Sequence, residues 1–229
     1  MIAILFGIQG VGKSLVATKA TSQFPENYWK YIVVGDNVYD LALSKGVIKV
    51  GDYSLIDGVQ IVMEDEQKRV AIIRDKGIDT IYVKKEEDLQ LSRDYMRNIN
   101  VATTKILQQE TFSYYSDLVK KDKTKHYLLD THAALKTKQG YIPGLSLGFI
   151  KDIAPDVFII IEADAQEIFD RRVNDKTRKR DHDKSVGDVQ VNLDTTRYFA
   201  SNYSFAAHSP LVIINNKQGE PDAAGNELA

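Results

Sequence analysis

Residues 2–15 read IAILFGIQGVGKSL: an apolar run that breaks into a glycine-rich turn ending in Gly-Lys-Ser. Ile2–Phe6 is apolar throughout, the pattern of a central parallel strand covered on both faces. Gly7, Ile8, Gln9, Gly10, Val11, Gly12, Lys13 and Ser14 then carry the spacing G-x-x-x-x-G-K-S, and a helical pattern begins at once. Strand, glycine loop and helix in that order make a phosphate-binding loop. The glycines let successive backbone N–H groups curl around phosphate oxygens, and the helix N-terminus adds a favourable dipole. Lys13 suits the β- and γ-phosphates of a nucleoside triphosphate, and the Ser14 hydroxyl suits Mg²⁺. The nucleotide-contacting run extends from Gly7 to Leu15. The helix is expected over 13–23, with Leu15, Val16 and Ala20 on its inner side.

Working outward, YIVVG (31–35), HYLLD (126–130), DVFIIIEA (156–163) and LVIIN (211–215) read as further strands. Helical patterns lie between them at 37–44, 92–119, 145–153, 164–173 and 188–207. Such alternation predicts an α/β fold, a doubly wound parallel sheet of about five strands flanked by helices. Ligands then bind beyond the carboxyl ends of the strands, where the loop, Asp130 and Glu162 fall. Residues 50–91 differ in character and are expected to form an extra strand, a short helix closed by Gly77, and another strand, inserted in a single domain spanning 1–229.

The 229 residues are 43% hydrophobic and 27% charged, with a formal net charge of −2. That balance gives no global basic field, so no nucleic acid partner is expected. With no cysteine, disulfides, thiolate zinc sites and thiol catalysis are excluded. No stretch approaches the roughly 20 apolar residues needed to span a bilayer; no membrane partner is expected, and the default location is cytoplasmic.

The class of nucleotide chemistry follows from what accompanies the loop. A GTPase needs Asn-Lys-x-Asp after a late strand, and Asn216–Gly219 (NKQG) has glycine at the aspartate position. A kinase needs arginines to neutralise phosphates on two substrates. DRRVNDKTRKRD (170–181) supplies Arg171, Arg172, Arg178 and Arg180. The run reads either as a solvated charged face or as a lid, over 174–187, whose guanidinium groups close on the transferring phosphoryl group.

GIQGVGKS, GDNVYDLALSKG, RDYMR, LLDTHAALKTKQGYIPGL, PDVFIIIEADAQEIFDRR and DKTRKRD occur in one order. In that order the chain resembles the archaeal-type adenylate kinases, over nearly its whole length apart from about residues 50–91. The resemblance implies a P-loop kinase fold and a Mg²⁺-dependent reversible transfer in which ATP and AMP give two ADP. It implies catalytic roles for Lys13, Arg178, Arg180 and Arg197, with Arg171 against the donor adenine. Asp130, with Ser14, would hold Mg²⁺. Gly35, Asp36, Arg97, Thr137, Gly140, Tyr141 and Gly144 would bind the acceptor. His132 is read as an orienting residue, since loose phosphoryl transfer requires no general base. A homo-oligomer, commonly a trimer, is implied by the resemblance alone.

Two features depart from the pattern. The 50–91 segment fills a gap of a few residues in the acceptor-binding region, and is read as a tolerated surface excursion, or else as a docking or regulatory module. Ser146 stands where the family commonly has proline, which would loosen the acceptor loop. Two alternatives stay open: a kinase of another monophosphate such as CMP or UMP, and a kinase-shaped ATPase or RNA-associated assembly factor, to which the lysine-rich VKKDKTK (119–125) lends slight support.

Overall fold

The computed structural model describes residues 1–229 except 27, 57, 66, 97, 138–139, 175–184 and 218–219. The chain forms two compact units. The first comprises Met1–Val33, Ser116–Leu135 and Pro143–Ala229, and the second Val34–Tyr115 and Lys136–Ile142.

The first unit is built on five parallel strands: β1 (Ile2–Phe6), β2 (Trp29–Val33), β7 (His126–Asp130), β10 (Val157–Glu162) and β11 (Leu211–Asn215). Their spatial order is β11-β10-β1-β7-β2, so β1 is central: β2 and β7 lie to one side, and the chain crosses from β7 to β10 and β11 on the other. Ala3, Ile4, Leu5 and Phe6 are all essentially inaccessible, as a strand covered on both faces requires. Ala3 and Leu5 join a core with Val16 and Ala17 of α1 (Lys13–Thr21), Ile168 of α6 (Ala165–Asn174) and Leu193 of α7 (Val186–Ala207). Phe6 stacks on Phe158, centroids 5.9 Å apart, and packs against Tyr203. Each buried Leu, Ile or Phe contributes about 1.5–3 kcal/mol relative to exposure. Leu15 departs from the expected inner face: it is half exposed, and α1 instead buries Val16, Ala17 and Ala20. The stripe is therefore centred one residue further on. The tail closes with α8 (Pro221–Leu228).

Ser146 caps α5 (Leu147–Ile153), its Oγ accepting the Phe149 N–H at 3.1 Å. The residue standing for proline thus holds a helix start.

In the second unit, α2 (Val34–Ser44) begins three residues before the expected start, so Gly35 and Asp36 lie inside its first turn. The inserted region holds no helix at Gly77. β4 (Gln60–Glu64), β5 (Val70–Asp75) and β6 (Ile78–Val83) are antiparallel neighbours, and β3 (Ile48–Val50) pairs parallel to β6. The reason is the run Val70-Ala71-Ile72-Ile73, buried on alternating sides: Val70 and Ile72 face one cluster, Ala71 and Ile73 another. Lys76 and Gly77, at φ 47° and 83°, form the two-residue connection with both residues left-handed that a tight hairpin favours. The helix expected over 92–119 is also divided, into α3 (Leu89–Tyr95) and α4 (Val101–Lys121). Asn100 divides it: its Oδ1 accepts the Thr103 N–H at 2.8 Å, capping α4, and its own N–H donates to Asp79 Oδ2 at 2.7 Å. A short ribbon, β8 (Ala134–Thr137) with β9 (Gly140–Pro143), and two single 3-10 turns, Tyr53–Leu55 and Glu86–Asp88, complete the described elements.

Candidate active site

Register brings the loop and its acid together. Leu5 pairs with Asp130 across β1 and β7, and Thr131 N–H donates to Leu5 O at 3.0 Å. Asp130 therefore ends its strand beside the start of the glycine loop. Gly7 is required by crowding, since a Cβ there would sit 2.9 Å from Ile161 O. Gly10 and Gly12, at φ 85° and 87°, are in the left-handed region that favours glycine. Val11 between them is fully buried and roots the loop in the core.

Lys13 forms an ion pair with Asp130 and donates from Nζ to Thr131 O at 3.1 Å. Asp130 is buried, and its second oxygen accepts the Tyr31 hydroxyl at 2.7 Å. The ammonium is thus held at the first turn of α1. Ser14, the next residue, is exposed.

The arginines divide by partner. Arg172 donates from Nε to Gln9 O at 2.8 Å and from Nη2 to the same oxygen. Arg171 lies 3.4 Å from both Val11 O and Asn216 O, and pairs with Glu167 at 3.1 Å. Arg197 binds Glu162 through both nitrogens of one edge, Nε to Oε1 at 2.6 Å and Nη2 to Oε2. These bonds to the Glu162 carboxylate raise the Arg197 guanidinium above its ordinary range, burial opposing them only in part.

Of the acceptor residues, Gly35, Asp36, Thr137, Gly140 and Tyr141 belong to the second unit and Gly144 to the first. A Cβ at Gly35 would meet nothing within 4 Å. Arg93 Nη1 lies 3.4 Å from Asp36 Oδ1, with its guanidinium 4.5 Å over the Tyr39 ring. Thr137 Oγ1 donates to Gly140 O at 2.8 Å, closing the ribbon. Gly144 is packed on backbone: a Cβ there would lie 1.8 Å from His132 O. Within the first unit, Tyr203 donates to Ala133 O at 2.8 Å and accepts Leu145 N–H at 3.2 Å. Arg97, Arg178 and Arg180, with the segment 175–184 that makes up most of the expected lid, lie outside the described residues.

An adenylate kinase of Thermoplasma acidophilum is 30% identical to this chain over 100% of it and 96% of the relative. That of Methanocaldococcus jannaschii is 31% identical over 99% and 95%, and that of Thermoplasma volcanium 33% over 69% and 87%. The chain belongs to the adenylate kinase family. It is accordingly a nucleoside monophosphate kinase. A family model described as an AAA domain also matches residues 79–186, less than half of the chain and without the P-loop. No helix among the described residues is long and apolar enough to cross a membrane.

Three residues near these sites carry no role in the sequence reading, Tyr31 on Asp130, Arg93 on Asp36, and Asn216, while Arg172, read there as one arginine of the charged run, instead bonds Gln9 O. Asn216 Nδ2 donates to Val11 O at 2.7 Å and lies 2.4 Å from where a Gly12 Cβ would stand. Arg93 and Arg172 had a usable signal, each belonging to a run already singled out. The other two act through contacts 99 and 205 residues apart in sequence.

Proposed function

We propose that the chain catalyses reversible transfer of the γ-phosphoryl group of Mg·ATP to AMP, giving two ADP. The observation that carries this reading is Lys13, held by Asp130 and Thr131 O at the end of a loop whose Gly10 and Gly12 are both left-handed. Its support in sequence is full-length similarity to proteins named adenylate kinase. An acceptor phosphate oxygen forms the new bond to Pγ, the bond from Pγ to the bridging oxygen breaks, and that oxygen leaves with the electron pair on ADP. No proton needs to move, so positioning and charge neutralisation carry the rate. Lys13 supplies charge on the donor side, joined by Arg178 and Arg180 of the lid segment and by Arg197 once it leaves Glu162.

Ser14 hydroxyl and Asp130 carboxylate are hard oxygen donors, the set that suits Mg²⁺, which commonly takes one or two protein ligands and completes its shell with phosphates and water. These two residues would hold the ion, which would supply neutralisation of the β- and γ-oxygens. Tyr31 and Lys13 hold Asp130 in place meanwhile.

Acceptor choice is where the chain has its own features. Tyr39 and Ala42 of α2, the helix that opens with Gly35-Asp36, share a core with Val70, Ile72 and Ile81 of the inserted sheet. The test is a coupled assay with ATP and each of AMP, CMP and UMP. AMP is expected to be preferred. Turnover of CMP or UMP with negligible ADP from AMP would overturn the acceptor, and ATP loss with no phosphorylated acceptor would overturn the reaction.

A further inference from the structure

Two side chains from distant parts of the chain bond closely to carbonyls of the P-loop, with Arg171 Nη1 a longer second donor to Val11 O at 3.4 Å. Arg172, in the last turn of α6, donates twice to Gln9 O, its Nε at 2.8 Å. Asn216, just beyond β11, is buried and donates from Nδ2 to Val11 O at 2.7 Å. Its backbone N–H is tied to Glu162 O at 2.7 Å, so the anchor is itself fixed.

Each of these carbonyls is one pole of a peptide whose other pole is a glycine N–H. The chain has no cis peptide bond among its described residues, and in a planar trans peptide C=O and N–H point in opposite directions. Fixing Gln9 O therefore aims the Gly10 N–H, and fixing Val11 O aims the Gly12 N–H. Both glycines have the positive φ that lets successive N–H groups form an anion-binding hollow. The same freedom is a hazard. Glycine tolerates either sign of φ, so a peptide beside it turns over at little steric cost. A turned peptide would present its oxygen to a phosphate and repel it.

We propose that Arg172 and Asn216 are positioning residues of the donor site, each governing one peptide: Arg172 sets the Gly10 N–H and Asn216 sets the Gly12 N–H for a polyphosphate chain. The guanidinium adds polarisation, since a charged donor makes a hydrogen bond roughly twice as strong as a neutral one. The fit of Asn216 also accounts for glycine at position 12, where a Cβ would collide with its amide. The inference rests on residues 7–14 holding the donor phosphates.

The test uses the full chain with ¹⁵N-glycine and no nucleotide, as wild type, Arg172→Ala, Arg172→Lys, Asn216→Ala and Asn216→Ser. Arg172→Ala is expected to shift or broaden the Gly10 amide signal, and Asn216→Ala that of Gly12, with the other glycine of the pair disturbed less. Arg172→Lys, which keeps one donor of two, falls between, and Asn216→Ser reports on the same peptide should the alanine variant fail to fold. Inorganic tripolyphosphate is then titrated into the same samples. Its affinity should fall at least about tenfold in both alanine variants, as loss of a charge-stabilising donor arrangement does. The KM for ATP should rise alike, while that for the acceptor monophosphate stays within about twofold. Unmoved glycine signals, equal disturbance of both glycines by either variant, or unchanged tripolyphosphate affinity would each overturn the assignment. Wild-type protein that does not bind tripolyphosphate would instead overturn the P-loop reading, and the pairing of side chain with peptide would then be decided by the glycine signals.

Discussion

Glu162 and Arg197 hold each other by two parallel hydrogen bonds, with the carboxylate buried and the guanidinium half exposed. The pair joins the end of β10 to the middle of α7. Its two halves are not equivalent, because only one of them lacks water.

Removing the cation should therefore cost more than neutralising the acid. Arg197→Ala leaves a buried carboxylate without its partner, an expected loss of about 2–3 kcal/mol, below the usual cost of a fully buried pair because the guanidinium is half solvated. Glu162→Gln should cost less than half of that. Urea unfolding of both variants checks the order, and equal losses would contradict it.

Lys13→Ala should lower kcat at least about a hundredfold, by analogy with the loss of one donor to developing charge. It should also destabilise the fold, since Asp130 is buried and would retain only the Tyr31 hydroxyl. Lys13→Ala combined with Asp130→Asn should regain most of the stability and none of the turnover. Thermal unfolding together with kcat separates the two effects.

Gly35 and Gly144 make a contrast between open and closed space. Gly144→Ala would drive a Cβ into the His132 carbonyl at 1.8 Å, backbone against backbone. At least about 3 kcal/mol of stability or failure to fold is expected, as for the larger overpacking changes. Gly35→Ala meets nothing and lies in a helix, so stability should rise by up to about 1 kcal/mol. If Gly35 lines the acceptor pocket, the KM of the acceptor rises in that same variant.

Asp79 is fully buried and accepts Arg74 at 2.7 and 3.0 Å and the Asn100 N–H at 2.7 Å, while its own N–H donates to Thr103 Oγ1 at 2.8 Å. It ties the inserted sheet to the start of α4. Asp79→Ala strands a half-buried guanidinium and leaves the Asn100 N–H unpaired, and should cost about 3 kcal/mol or more. Hydrogen exchange should rise across residues 60–83 and at the α4 N-terminus, and much less in the five-stranded sheet.

The turn between β4 and β5 has a sign-definite pH response. Burial alone would raise the Asp65 carboxyl, but the Val70 and Arg69 N–H groups and the Arg69 guanidinium outweigh it and hold the group below its ordinary 3.8. A depressed carboxyl contributes stability above its unfolded value, lost as pH falls through the lower folded one. Wild type should lose that contribution below about pH 4, and Asp65→Asn should show a flatter acid limb in its melting temperature.

The strand before the glycine loop and Asp130 at a strand end were legible because each depends on neighbours within a few residues. Asn216 was not, since its partner lies 205 residues away and nothing local marks it; Arg172 stood in a marked run of arginines, but its partner, 163 residues away, did not show. The inserted segment misled for another reason. Charges at 64–69 and 74–76 flank Val70–Ile73 so closely that the run resembles one face of a short helix, and only packing on both sides reveals a central strand. The break at Asn100 was concealed likewise, because its cap bond and its bond to Asp79 are tertiary choices a helical period does not contain.

Because β5 is sandwiched, the extra sheet is indivisible. Clipping its β5–β6 hairpin would bare Leu107 and Ile99 on one side and Tyr53 on the other, so a shortened form needs a redesigned apolar surface rather than a shorter loop.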